Sequence, residues 1–350
     1  GDVSLPLCDA VIQALHKAVD DQAVKASFHG YMPECGDPEL RRTIAGYYKK
    51  RNADLSPEEV FISSGASDEL GDILDLFGRD KKVMIMEPAY PAYVDANIIA
   101  GNTIIHIPSG EAEGFVPQPG ERDRADVIYI CSPNNPTGAV FSRERLKQWV
   151  DYANRTDAVL LFDAAYEAFI EDEDIPHSIF EIEGAKTCAI ELCSFSKTAG
   201  FTGLRLAYTV IPKELKCGDV QLHALWARRH GTKYNGAPYI IQQAGAAVYT
   251  PEGQAQTQEQ IASGQTYKVY IDGQYLESYT VATSTTYTFT TNGKHTIRVT
   301  ANLNGYETEG QTIEVTVQGL TQDATTKTPV QTTATTTKAP EQTTNPGTVT

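Results

Sequence analysis

The first 262 residues repeat short apolar runs, each separated from the next by a longer segment of mixed polarity. The runs read "VFIS", "KVMIM", "TIIHI", "VIYIC", "AVLLF", "AIELC" and "LAYTVI". They lack the strict alternation of half-exposed strands, and the intervening "SRERLKQWVDYANR" has helical spacing. Such runs are typical of a parallel sheet that helices cover on both faces. We therefore predict an α/β domain with a mostly parallel sheet over residues 1–262.

The pattern changes after this point to alternation with a period of two residues. Residues 263–319 contain "TYKVYIDGQYLESYTV", "TYTFTTNGKHTIRVTA" and "GQTIEVTVQG", with Asp272-Gly273 and Asn292-Gly293 between such runs. Asp-Gly and Asn-Gly pairs between alternating strands favour tight hairpins. We predict a small all-β sandwich of the immunoglobulin-like or fibronectin-like type. It is either a spacer or a polysaccharide-binding module that stacks sugars on exposed tyrosines, with Tyr267, Tyr270, Tyr275 and Tyr279 as candidates.

Residues 320–350 are rich in threonine and proline and contain almost no large apolar side chain. Such a segment cannot bury enough surface to offset the entropy of ordering, so we predict a disordered linker or stalk. This composition suggests a secreted or cell-surface origin for the C-terminal part of the chain.

Composition narrows the possible partners. The formal net charge of −16 argues against nucleic acid and anionic membranes, and no stretch of 18 apolar residues suggests a membrane span. The six cysteines all lie at or before Cys217 and show no metal-binding spacing. We expect reduced thiols in a cytoplasmic domain, without a metal site.

Candidate functional groups follow five of the predicted strands. Because the carboxyl ends of parallel strands meet at one edge of a sheet, we expect these groups to converge there. They are Gly65-Ala66-Ser67, Tyr90, Asn135, Asp163 and Lys197.

These residue types match the parts of pyridoxal 5′-phosphate. A poorly hydrated lysine such as Lys197 can attack an aldehyde. Arg205, with Ser194 and Ser196, suits a phosphate, as does the helix start after Gly65. Asp163 can hold a pyridine nitrogen, Tyr166 and Asn135 a ring hydroxyl, and Tyr90 can stack on the ring.

Each residue alone also has a simpler interpretation. A single lysine is usually a surface charge, "NPTG" is usually a turn, Asp163 can cap a helix and Tyr90 can be ordinary packing. The order and spacing of the whole set favour the cofactor.

The motifs "SGAS", "EPAYPAY", "SPNNPTG", "FDAAYEAF" and "SFSKTAGFTGLR" resemble those of the fold-type I, class I/II pyridoxal-phosphate aminotransferases. "GYMPECGDPELRRTIAGYY", "KTAGFTGLRLAYTVIP" and "KYNGAPYIIQQAGAAVYTPEG" are most similar to the LL-diaminopimelate aminotransferases. The resemblance covers residues 1–262 and implies the large domain of a cytoplasmic homodimer. It implies amino transfer between LL-diaminopimelate and 2-oxoglutarate in lysine biosynthesis.

The resemblance also implies roles for individual residues. Lys197 is the catalytic residue, and Tyr31 reaches the phosphate in the neighbouring subunit. The implied cofactor-binding residues are Ala66, Ser67, Tyr90, Asn135, Asp163, Tyr166, Ser194, Ser196, Arg205, Tyr31 and Asn235. The implied substrate-binding residues are Gly1, Glu34, Tyr90, Asn135 and Asn235.

The sequence departs from the family in three places. Ser67 stands where LL-diaminopimelate aminotransferases usually have lysine, and Cys35 where they have glutamine. The small domain that supplies an arginine for the substrate carboxylate has no counterpart after residue 262, so we expect weak activity and interpret the chain as chimeric. Two alternatives stay open. One is an aspartate or aromatic aminotransferase, and the other is a secreted β-sandwich protein carrying an inactive aminotransferase remnant.

Overall fold

The computed structural model describes residues 5–120, 124–280, 289, 291–303, 306–307 and 311–317. The chain forms two compact units, of which one ends at Thr257 and the other begins at Gln258. The boundary that we predicted from the sequence lies five residues further on, within helix α9 (Pro251–Gly264).

The first unit contains a seven-stranded sheet in the order β1-β7-β6-β5-β4-β2-β3. All seven predicted strands form: β1 (Val60–Ser63), β2 (Lys82–Glu87), β3 (Thr103–Pro108), β4 (Val127–Cys131), β5 (Val159–Asp163), β6 (Ala189–Ser194) and β7 (Ala207–Val210). Strand β7 runs antiparallel to both of its neighbours, and the other pairings are parallel. The prediction of a mostly parallel sheet is confirmed.

Helices cover both faces of this sheet. The helices along this part of the chain are α1 (Asp9–Ala23), α2 (Pro38–Lys49), α3 (Ala66–Asp72), α4 (Pro91–Ala100), α5 (Arg143–Thr156), α6 (Phe195–Thr198), α7 (Leu222–Lys233), α8 (Tyr239–Val248) and α9, which crosses the boundary between the two units. Ile44 and Trp149 belong to one buried apolar cluster, whereas Leu70, Tyr93 and Trp226 belong to another. A two-stranded pair, β8 (Lys216–Cys217) and β9 (Val220–Gln221), precedes α7. The sequence pattern of continuous apolar strands follows from this burial on two sides.

The second unit contains an antiparallel sheet. Its strands are β10 (Gln265–Ile271), β11 (Gln274–Thr280), β12 (Gly293–Leu303), β13 (Tyr306–Glu307) and β14 (Gln311–Val317). Asp272 and Gly273 join β10 to β11 with φ angles of 49° and 79°. Two consecutive positive φ angles are those of a type I′ hairpin turn, so the hairpin predicted at Asp272-Gly273 is confirmed.

The described strands of this unit form one sheet, so the predicted sandwich stays a prediction. Its remaining sequence includes residues 281–288, which lie outside the described part of the chain, as does the predicted stalk at 320–350. Among the predicted stacking residues, Tyr275 is 55% exposed and Tyr270 lies under the Arg298 guanidinium at 4.2 Å. The side chains of Tyr267 and Tyr279 are also outside the described part.

All six cysteines are free thiols, and Cys8, Cys131, Cys188 and Cys193 are buried. Within the described ranges, no helix is long and apolar enough to cross a bilayer. The same residues contain no group of three or more His, Cys, Asp or Glu side chains placed to hold a metal ion.

Candidate active site

Asp163 is a buried carboxylate at the end of β5. Asp163 is 6% exposed, and its Oδ2 accepts a hydrogen bond from the Tyr93 hydroxyl at 2.6 Å. Oδ1 accepts another from the backbone N–H of Ala165 at 3.0 Å. Burial raises the pKa of Asp163, and these two hydrogen bonds act in the opposite direction. The carboxylate is therefore held in a dry environment by donors that favour its charged form.

Two further aromatic residues gather around this carboxylate. Tyr166 is half-buried, and burial, followed by the proximity of Cys131, Asp163 and Tyr90, raises its pKa to about 12. Tyr90 begins helix α4, and its ring meets the Tyr93 ring edge-on at 5.6 Å. The structure thus brings together Tyr90, Asp163 and Tyr166, which the sequence predicted as parts of one site.

Asn135 lies on the loop that follows β4. This loop is tied to its neighbours, since Ser132 N donates to Asp163 O at 3.1 Å and Asn134 Nδ2 donates to Pro88 O at 3.1 Å. Pro88 precedes Tyr90 by two residues, so the loop that carries Asn135 is fixed next to both Asp163 and the start of α4. Asn134, which the sequence did not single out, makes this connection.

Lys197 lies in helix α6, directly after β6, and is half-buried. Ser194 caps this helix, because its Oγ accepts from Ser196 N at 3.1 Å. Helix α6 contacts the short 3-10 turn Glu167–Phe169 that begins next to Tyr166. Lys197 is therefore at the same sheet edge as the acid and the tyrosines.

A close approach between Gly65 and Arg205 forms the other end of the site. Gly65 has a φ angle of 155° and precedes helix α3, where Ala66 and Ser67 are the first residues. A Cβ atom at Gly65 would overlap Arg205 Nη2 and lie 3.1 Å from Cζ. The guanidinium thus lies directly against the helix start, and only glycine leaves it this room. Such a combination of a guanidinium and free backbone N–H groups suits a phosphate.

The remaining predicted residues lie on two adjoining segments. Gly236 packs against the residues beside Tyr31 and Glu34, since a Cβ there would lie 3.0 Å from the carbonyl oxygens of Met32 and Pro33. Asn235, next to Gly236, is exposed. Tyr31 is 91% exposed. Gly1 lies outside the described residues.

Sequence reasoning missed Tyr93, the hydroxyl donor to Asp163. A signal was present, because Tyr90 and Tyr93 are three residues apart at the start of a helix and such residues share a face. We interpreted "EPAYPAY" through its first tyrosine alone, and the partner of the second lies 70 residues away in the chain.

Comparisons with known proteins cover the first unit and extend into the residues that follow it. The sequence model of the family described as "Aminotransferase class I and II" matches residues 1–265. The LL-diaminopimelate aminotransferase of Lachnospira eligens is 52% identical over 295 residues, which is 81% of this chain and 73% of that protein. The protein of the same name from Agathobacter rectalis is 53% identical over 275 residues, or 75% of this chain and 68% of that protein.

The solved structures that resemble this chain include aminotransferases. The L,L-diaminopimelate aminotransferase from Chlamydomonas reinhardtii superposes with a TM-score of 0.70 at 37% identity. That match covers 74% of this chain, and the chain spans 66% of the length of that structure. The aromatic aminotransferase of Pyrococcus horikoshii superposes with a TM-score of 0.65 at 25% identity.

Proposed function

Because the chain belongs to the class I and II aminotransferases, we propose that it transfers an amino group between LL-diaminopimelate and 2-oxoglutarate. The identities of 52% and 53% to two proteins named for this substrate support it over aspartate or aromatic amino acids. The chain spans 73% and 68% of those relatives, so the activity of the whole protein is part of the proposal.

The pairing of a buried acid with a guanidinium cradle at one sheet edge is the observation that carries the proposal. Members of this family use pyridoxal 5′-phosphate, and the residues present fit its two ends. Asp163 would hold the ring nitrogen, because a dry carboxylate pairs with a cation far more strongly than a solvated one. Arg205 and the backbone after Gly65 would hold the phosphate.

Other residues complete this arrangement. Ser194 Oγ accepts from Ser196 N, so its hydroxyl hydrogen would be available to a phosphate oxygen. The Ser196 hydroxyl and the first residues of α3, Ala66 and Ser67, would add to the same phosphate site. Tyr166 and Asn135 would donate to the ring oxygen, and Tyr90 would stack on the ring face.

Bound pyridoxal phosphate supplies an aldehyde that condenses with amines and a ring that accepts electrons. Lys197 would hold the cofactor covalently through its ε-amino group. With the cofactor bound, the same amino group would move the proton at the substrate Cα.

The proposal includes a homodimer with shared sites. Tyr31 is almost fully exposed and extends from a segment that packs against Gly236, so it is free to reach a second subunit. Glu34, Asn235 and Gly1 would shape the substrate end. Ser67 replaces the lysine usual in LL-diaminopimelate aminotransferases, so a substrate contact there must come from another group.

The experiment is an absorbance titration of the purified protein with pyridoxal 5′-phosphate. We expect a new band that Lys197→Ala abolishes and that Lys49→Ala, which removes an exposed lysine, leaves in place. Addition of LL-diaminopimelate and 2-oxoglutarate should then produce glutamate. A band that survives in Lys197→Ala contradicts the assignment of the lysine, and turnover with aspartate or aromatic donors alone contradicts the substrate.

The second unit supports a separate proposal, that it is a spacer or a polysaccharide-binding module. Tyr275 is exposed and meets Tyr270 edge-on at 5.7 Å, and Arg298 covers Tyr270. Exposed aromatic rings are the usual stacking platforms for sugars. Retention of the full chain on insoluble polysaccharide, lost in Tyr275→Ala, supports binding, and no retention leaves the spacer. The chimeric origin and secreted source of residues 263–350 stay predictions.

A further inference from the structure

The hydrogen bond between Tyr93 and Asp163 joins two buried side chains across the sheet edge. Tyr93 is 2% exposed and Asp163 is 6% exposed, and their oxygens are 2.6 Å apart. Burial raises the pKa of Tyr93 far above its usual value, and the charge of Asp163 adds to this effect. The phenol is therefore the donor in this hydrogen bond, and the Asp163 carboxylate accepts it.

Buried contacts fix the direction in which this phenol points. The Tyr93 ring stacks on Tyr129 with centroids 4.8 Å apart. Asn97 Nδ2 donates to both Tyr93 O at 2.8 Å and Tyr129 Oη at 3.1 Å. Asn97 is in turn held by Asn102, whose Nδ2 donates to its Oδ1 at 2.9 Å. A ring held in this way loses little further entropy when it binds Asp163.

The hydrogen bonds of the carboxylate define its orientation. Oδ1 accepts from Ala165 N and Oδ2 accepts from Tyr93, so each oxygen has one protein donor. Two donors on different oxygens fix the plane of a carboxylate and leave one lone-pair direction on each oxygen for a further donor. Without the phenol, Oδ2 would have no protein donor among the described residues, in a place where water is scarce.

We propose that Tyr93 is a positioning residue that orients Asp163 and keeps its charge, so that the proton stays on the ring nitrogen of the cofactor. This inference rests on the proposed function. Tyr93 touches the acid and not the reacting atoms, and its effect reaches the cofactor through Asp163.

The test compares Tyr93→Phe with Tyr48→Phe. Both variants remove a buried phenol that donates to a buried carboxyl, but only the first removes a donor to Asp163. Cofactor labelled with 15N in the ring is added to each protein, and its chemical shift reports the protonation of that nitrogen. We expect a shift toward the unprotonated value in Tyr93→Phe and the wild-type shift in Tyr48→Phe. Equilibrium dialysis should show affinity about tenfold weaker in Tyr93→Phe alone.

A double variant separates the pairing from general damage to the fold. In an Asp163→Asn background the added change Tyr93→Phe should no longer alter affinity, because the charge that it supports is gone. If the wild type binds the cofactor and Tyr93→Phe keeps both its 15N shift and its affinity, the inference is wrong while the proposed function stands. If the wild type fails to bind, the proposed function fails first. Equal effects of Tyr93→Phe in both backgrounds also overturn the inference.

Discussion

The two ends of the proposed cofactor site, one for the ring and one for the phosphate, are built in different ways. At the ring end, Asp163 and Tyr93 are buried, lie on a strand and a helix, and are hydrogen-bonded to each other. At the phosphate end, Arg205 and Ser67 are exposed, and Gly65 and Arg205 have positive φ angles of 155° and 58°. The first end is fixed by packing before any ligand arrives. The second end depends on a strained backbone and on a charge in contact with solvent.

This difference sets what each end contributes to binding. Charges in a dry environment interact strongly and are screened little by salt, whereas exposed charges lose most of their interaction as ionic strength rises. We infer that the ring end controls the chemistry, and that the phosphate end controls how long the cofactor stays bound. The predictions below test this division.

The largest effect should come from the ring end. Asp163→Asn keeps the size of the side chain but removes its negative charge, so the ring nitrogen loses its ionic partner. We expect the transamination rate to fall about 10²- to 10³-fold, by analogy with the loss of one preorganised electrostatic group. Steady-state glutamate formation measures it, with Asp172→Asn, an exposed acid, as the control. A loss of rate below tenfold would show that the reaction does not depend on the charge of Asp163.

A second buried carboxyl, Glu69 on α3, gives a comparison with Asp163 because it is an equally buried acid to which the proposed site gives no part. It accepts from Thr209 Oγ1 at 2.6 Å, and burial raises its pKa from 4.5 to about 7. A carboxyl whose pKa is higher in the folded state binds more protons when folded, so its contribution to stability is full below pH 4.5 and is lost as the pH rises to about 7.

Through Glu69, the wild type should lose about 3 kcal/mol in the free energy of unfolding as the pH rises between these values. Glu69→Gln should not show this loss. Denaturant unfolding at pH 4.5 and pH 8 measures it, and both tryptophans, Trp149 and Trp226, report on the first unit. The exposed Glu144→Gln is the control. A difference between variant and wild type that is constant with pH would show that Glu69 does not titrate.

Much of this architecture follows from local sequence patterns, and the long-range contacts do not. Apolar runs predicted all seven strands, because most of these runs are buried on both faces, and the edge strand β3, which is partly exposed, is still an apolar run. The direction of β7 was not predictable, since "LAYTVI" reads the same in a parallel or antiparallel strand. The polar segment "SDELGD" predicts a surface position for Glu69. Its burial depends on long-range contacts such as the hydrogen bond from Thr209, 140 residues away. Tyr93 is another case, because its role depends on a partner 70 residues distant.

At the phosphate end, Arg205→Lys should weaken cofactor affinity by about tenfold, because an ammonium cannot donate two parallel hydrogen bonds to a phosphate. Equilibrium dialysis at low and high salt measures it. Salt should weaken binding by the wild type and by Arg205→Lys to a similar extent, because both side chains carry one positive charge in contact with solvent. The exposed Arg228→Lys should behave as the wild type. If salt has no effect on wild-type affinity, the exposed end does not control retention of the cofactor.

The smallest effect should separate a helix cap inside the site from one outside it. Ser194 caps α6 through Ser196 N at 3.1 Å, and Ser142 caps α5 through Arg145 N at 3.2 Å. Loss of either cap to alanine should cost about 1 kcal/mol of stability. Only Ser194→Ala should also weaken cofactor binding, because the proposed site gives the Ser194 hydroxyl to the phosphate and gives Ser142 no part. Thermal unfolding and cofactor dialysis on both variants measure the two effects. Equal cofactor affinity in the two variants would mean that Ser194 serves the helix alone, and the phosphate end would then consist of Arg205, Ser196 and the start of α3.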